Sequence, residues 1–185
     1  MATMLYTSGM KHHVVLTAVG SDRIGLAGDI SAHVLECECN IEESKMAVLG
    51  GEFAVILLVS GKEAAVSRLE RGIEEFAGAH ALSVTTKHTE PRRSPPKSRP
   101  YLIETVSLDT PGIVKSVTGL LRSLGVNIED LETETTGAPW TGAPMFHMRV
   151  RVTAPPSVHV ATFREKLEKL AFEHDLDLTI TPLGA

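Results

Sequence analysis

One repeat governs what this chain can fold into. At a fixed offset of 87 residues, Asp22, Gly25, Asn40, Ile41 and Glu42 recur without a gap as Asp109, Gly112, Asn127, Ile128 and Glu129. Between the copies lies HTEPRRSPPKSRP, at 88–100. Pro91, Pro95, Pro96 and Pro100 fix φ and remove backbone donors, so neither a helix nor a central strand is expected to run through this segment. An extended, polyproline-like spacer is expected instead. A chain of 185 residues then divides into a first domain at 1–88, a basic proline-rich linker at 89–100 and a second domain at 101–185.

The element order repeats as well. In the first half, Val14 to Val19 reads as a strand, and Leu26, Ile30, Val34 and Cys37 recur at helical spacing after a turn. Ile41 to Leu49 and Phe53 to Val59 are strands joined at Gly50 and Gly51, which supply the positive φ of a tight hairpin. Val66, Leu69, Ile73 and Phe76 mark a second helix, and Leu82 to Lys87 a last strand. The second half gives a strand from Leu102, a helix carrying Ile113, Val117 and Leu121, strands at 128–135 and 145–153, a helix carrying Phe163, Leu167 and Leu170, and a strand at 178–181. Only the connection at 137–144 is longer. Each half is therefore βαββαβ, which favours an α+β, ferredoxin-like unit with an antiparallel sheet and both helices on one face.

Two helices leave the second sheet face to water or to a partner. Phe146, Met148 and Val150 alternate with His147, Arg149 and Arg151, so that strand should have a wet side. Residues 53–59 do not alternate, which predicts burial on both sides and a first-domain sheet face packed on a partner subunit or another domain.

The charge distribution restricts the partners. Residues 1–88 carry 7 basic and 11 acidic side chains, and residues 101–185 carry the same numbers, while 89–100 carry 4 basic and 1 acidic. Nucleic-acid binding relies on a basic face that neutralises phosphates. Neither half offers one, so direct DNA binding is not expected. The basic strip is either a solvated linker or a docking strip. No apolar run approaches the length that spans a bilayer. The start of the chain lacks the charged and apolar regions of a signal peptide. With Cys37 and Cys39 too close to staple distant segments, reduced thiols and a cytoplasmic location are expected. The two cysteines align with Leu124 and Val126, which favours buried small apolar groups over a metal or redox pair. Phosphate loops, dinucleotide fingerprints and nucleophile elbows are missing, so neither cofactor nor metal nor catalysis is expected.

The best ligand candidates are the turns between first strand and first helix, at 20–25 and 107–112. Asp22, and Asp109 or Thr110, are expected as helix N-caps, with Pro111 at the first helical position. Gly25 and Gly112 allow close approach of another group. A helix N-terminus presents unpaired N–H groups to a carboxylate, and every α-amino acid carries one. The competing reading is that Asp and Gly simply cap and turn the helix. Asn40 and Asn127, each followed by Ile at 41 and 128, open the second strands and suit either a turn or zwitterion recognition. Trp140 is either a loop anchor or an exposed partner contact.

The motifs Asp22, Arg23 and Gly25, then Cys37 to Glu42, then Ala47 to Phe53 resemble the ACT domain, and more narrowly the tandem-ACT repressors of the glycine cleavage system. The second half matches through Asp109, Pro111, Gly112, Asn127 and Ile128. Ile24 stands where that family often has proline. The resemblance implies amino-acid binding where the loop of one module, including Arg23, meets the second strand of its neighbour. It also implies a non-catalytic regulator that holds a separate transcription factor, with glycine or serine as effector, and the apolar sheet face favours a homodimer. The ligand would bridge two halves or two subunits. The alternatives are an ACT subunit that tunes an amino-acid or one-carbon enzyme in trans, or the detached regulatory part of such an enzyme.

Overall fold

A computed structural model of the chain describes residues 11–90 and 98–184. The chain forms two compact units, Met1–Arg93 and Ser94–Ala185. The first contains β1 (His12–Ser21), α1 (Leu26–Glu36), β2 (Asn40–Leu49), β3 (Glu52–Gly61), α2 (Glu63–Ala79) and β4 (Leu82–Thr89). The second contains β5 (Arg99–Leu108), α3 (Ile113–Ser123), β6 (Asn127–Gly137), β7 (Pro144–Ala154), α4 (Val160–Glu173) and β8 (Asp177–Pro182). Both are βαββαβ, with antiparallel four-stranded sheets ordered β2-β3-β1-β4 and β6-β7-β5-β8. This is the tandem ferredoxin-like architecture that the repeat implied.

Local chemistry accounts for the elements. β-Branched and aromatic residues fill the central strands, where a pleated and half-buried surface favours them. Gly50 and Gly51 take φ of 61° and 85°, the double positive φ of a mirror-image two-residue hairpin. In the first core Val14, Leu16, Phe53 and Val59 meet Leu26, Ile30 and Val34 of α1 and Val66 and Leu69 of α2. In the second Ile103 and Val150 meet Val117 and Leu121 of α3 and Phe163 and Leu167 of α4. Cys37 and Cys39 are buried within the first core, and burial pushes both thiols up. Among the described residues no group of metal-ligating side chains occurs, and no helix is long and apolar enough to cross a membrane.

Three expectations change. Pro100 lies inside β5, a central strand, opposite Thr153. It is tolerated because β8 pairs with β5 only from Tyr101 onward, so the missing N–H falls at the strand's start. Pro100 still accepts a hydrogen bond from Leu183 N–H at 3.0 Å through its carbonyl. The spacer reading of residues 91–97 and the signal-peptide reading of residues 1–10 lie outside the described residues. Second, β7 alternates as expected, but β3 is not closed on both sides within its unit. Phe53, Val55, Leu57 and Val59 are buried under the helices, whereas Ile56 on the other face is 47% exposed. Third, of the two readings of Trp140 the loop anchor drops out, because the side chain is 97% exposed.

Phe163 is fully buried and Phe172 lies on the surface of the same helix. Phe163→Ala should therefore cost about 3–5 kcal/mol in a denaturant titration of the full chain. Phe172→Ala should stay within about 0.5 kcal/mol of the parent.

Candidate functional site

The loops that lead into α1 and α3 share one backbone design. Gly25 has φ 90° and Gly112 has φ 104°, and each is the residue from which its helix starts. A left-handed residue cannot belong to a right-handed helix, so the helices begin at Leu26 and Ile113. This corrects the expected caps. Asp22, Asp109 and Thr110 lie too far upstream to cap, and Pro111 sits in the turn rather than at the first helical position. Neither helix start receives a side-chain cap hydrogen bond. Leu26 N–H reaches Arg23 C=O at 3.4 Å, and the N–H groups that follow it in the first turn have no side-chain cap and lie where an anion can meet them.

A backbone hydrogen bond fixes each loop to the neighbouring hairpin. Asp22 N–H donates to Gly51 C=O at 3.0 Å, and Asp109 N–H donates to Pro144 C=O at 3.0 Å. Both aspartate side chains are exposed. Thr135 Oγ1 lies 3.5 Å from Asp109 Oδ2.

Arg23 has a different place from the one the motif suggested. Its Nη2 lies 2.6 Å from Asp29 Oδ2 on α1 and 2.6 Å from His80 Nδ1, just past α2. The guanidinium has only donors, so His80 Nδ1 must offer its lone pair. His80 in turn packs against Phe76, and Phe76 stacks on His33 of α1, with ring centroids 4.4 Å apart in each pair. Arg23 thus clamps the first loop to both helices. Asp29, His33 and His80 escaped the sequence reading, and Phe76 was read only as a marker of the second helix, although the i, i+4 spacing of the two pairs was a usable signal.

The asparagines belong to a second structural device. Glu42 is an extra residue between the Ile41–Val59 and Glu43–Leu58 pairs, and Glu129 is one between Ile128–Val152 and Asp130–Arg151. Each is a β-bulge. Asn127 Nδ2 donates to Glu129 Oε1 at 2.7 Å, and the Asn40 amide likewise donates to Glu42. Ile41 and Ile128 turn inward onto the cores. Asn40 pairs with Ser60, at the end of the sheet opposite Asp22. Along the strand that is a separation of roughly 25 Å, so no single unit brings Asp22 and Asn40 together.

Beside the first loop, α1 and the edge strand β2 enclose a groove of about 110 Å³, lined by Ala27, Ile30, Ser31, Ser44 and Met46 over a floor that includes Phe53. It is apolar, small and adjacent to the uncapped helix start. Sequence reasoning did not find it, because it arises from the spacing of two elements rather than from a motif.

Comparison with known proteins agrees with this fold. The family model for the ACT domain matches residues 12–87. The glycine cleavage system transcriptional repressor of Escherichia coli (strain K12) is 30% identical over 167 residues, spanning 90% of this chain and 88% of that protein. The repressor of the same name from Shigella flexneri matches equally. The crystal structure of an unknown protein from Galdieria sulphuraria superposes with a TM-score of 0.75 at 31% identity, covering 95% of this chain and all of that one.

Two outcomes test the local design. Around Gly25 and Gly112 there is open space for a Cβ, so Gly25→Ala should cost only the conformational penalty, about 1–2 kcal/mol in a denaturant titration. The Glu42 carboxyl is held down at about 2 by hydrogen bonds from Ser60, Asn40 and Lys11 and by the Lys11 charge. A depressed carboxyl stabilises the fold above its unfolded value, and that stability is lost as pH falls through the folded value. Between pH 4.5 and about 2 the first unit should lose urea resistance. Glu42→Gln should flatten that loss, and an unchanged slope would remove Glu42 as its source.

Proposed function

The chain belongs to the ACT-domain family that holds the glycine cleavage system transcriptional repressors, and on that premise we propose that it is a non-catalytic regulator that senses a small amino acid. The observation that carries this reading is the paired, uncapped helix start behind Gly25 and Gly112. An α-carboxylate meets first-turn N–H groups and the positive end of the helix dipole there. Asp22 and Asp109, exposed on the same loops, accept from the ammonium group. The groove beside α1, about 110 Å³, has room for a small amino acid, and glycine and serine are the candidates.

Within this proposal Arg23 is a positioning residue, because its guanidinium is already engaged by Asp29 and His80. Asn40 and Asn127 reach the ligand from the second strand of another copy, since the loop and the strand start of one unit are far apart. A homodimer completes such a site. Ligand then shifts the balance between two arrangements of the dimer by its difference in affinity for them. The output is a change in the surface offered to a separate transcription factor, in the cytoplasm, without direct nucleic-acid contact. Two acidic bodies suit protein contact better than phosphate contact.

Calorimetric titration of the purified full chain with glycine, serine and the remaining amino acids tests the reading. Saturable binding of glycine or serine is expected, weakened about tenfold or more by Asp22→Ala. If no amino acid binds, the sensing role fails.

A further inference from the structure

The helix-free face of the first unit has no part in the loop, the groove or the bulge. One row across it runs Glu43, Leu58, Val15 and Lys87, from β2 through β3 and β1 to β4. The next rows centre on Ile56 with Thr17 and on Ala54 with Val19. The middle of the face is therefore mainly apolar, with a shallow depression of about 580 Å³ over Val15, Ile56 and Leu58 that Glu43, Lys45 and Glu90 border. Glu43 and Lys87 stand exposed at its two edges, without an ion-pair partner among the described residues. Three strand spacings, about 14 Å, keep them from pairing with each other within one chain.

We propose that this face is an interface between two copies of the chain, packed face to face about a two-fold axis parallel to β3 and β1. Such an axis, running midway between those strands, lays β2 of one copy over β4 of the other. Glu43 then meets Lys87 of the other copy, twice by symmetry, and Leu58 meets Val15 between them. A two-fold interface must be self-complementary in this way. Face-to-face sheets pack about 30° apart, an offset that two long rim side chains span.

The second unit's equivalent face is not a rival occupant. Its centre is an ion-pair ladder, with Arg149 3.5 Å from Glu104 and Arg151 3.6 Å from Asp130. Laying Ile56 and Leu58 over that ladder would strip water from four charges and return no new hydrogen bonds. The apolar face is best matched by its own copy. In projection the two faces together give on the order of 900 Å², the size of a weak, reversible dimer.

The proposal goes beyond the ligand site. This axis leaves heights along the strands unchanged, so Asn40 of one copy stays at the end of the sheet opposite Asp22 of the other, and the contact proposed here is separate from one that would bring those residues together. Sedimentation of the full chain over a concentration series tests it, with Glu43→Lys and Lys87→Glu made singly. Wild type should self-associate reversibly, and each variant alone should do so about tenfold more weakly or worse, because like charges then oppose twice. An equimolar mixture of the two variants should restore association, since every rim pair is then complementary. Both residues are exposed at sheet edges, so each variant's own unfolding midpoint should hold. A wild type that stays monomeric at its highest soluble concentration overturns both the dimer and this face. A dimer that neither variant weakens overturns the face and leaves dimerisation elsewhere, and a mixture that fails to recover overturns the two-fold pairing.

Discussion

Each unit is held together by one buried layer, in which the inward faces of two central antiparallel strands lie under two helices. In the first unit that layer is built from Val14, Leu16 and Ala18 of β1 and from Phe53, Val55, Leu57 and Val59 of β3. Two helices can cover only one face of a four-stranded sheet. Everything distinctive about the molecule happens where that cover stops, at the loops, at the edge strand β2 and on the opposite face. There the two units diverge. Ile56 and Leu58 give the first an apolar outer face, while Arg149, Arg151, Glu104 and Asp130 give the second an ionic one. Exposed ion pairs of that kind contribute little to stability and keep a surface wet. One backbone plan, repeated, thus carries two outer faces with opposite appetites for a partner.

Much of this was legible in the sequence, because it depends on periodicity. Among the described residues, twelve strands and helices in the right order follow from apolar spacing and from glycine. The alternation in β7 correctly foretold its two faces. The repeat itself holds through the helices, where Leu69, Ile73 and Ala77 of α2 take the places that Phe163, Leu167 and Ala171 take in α4.

Other features depend on φ and on partners distant in sequence, and these were not legible. A glycine after an aspartate reads equally well as part of a capped helix or as the cap itself. The positive φ at Gly25 decided that question, and nothing in composition reports it. Asn-Ile-Glu reads as a turn or a binding element, whereas its amide serves a bulge that is visible only in the strand register. Pro100 seemed to forbid a central strand, but a proline where the neighbouring strand has not yet begun removes no hydrogen bond.

The two candidate loops reach similar backbone geometry by different means. At the position of Ile24 the second loop has Pro111, whose ring fixes φ through covalent geometry. The first loop lacks that constraint and is held instead by Arg23, through Asp29 and His80. The second loop has Thr110 and Ser116 at the positions of Arg23 and Asp29, so it has no means to form the same clamp. A proline constraint cannot be switched. A clamp of two hydrogen bonds from one guanidinium can be exchanged for others. Rigidity held by side chains can couple a loop to the helices behind it, whereas rigidity held by a ring stays local. The first unit therefore ties its loop to α1 and to the end of α2, and the second holds its loop in place through the ring.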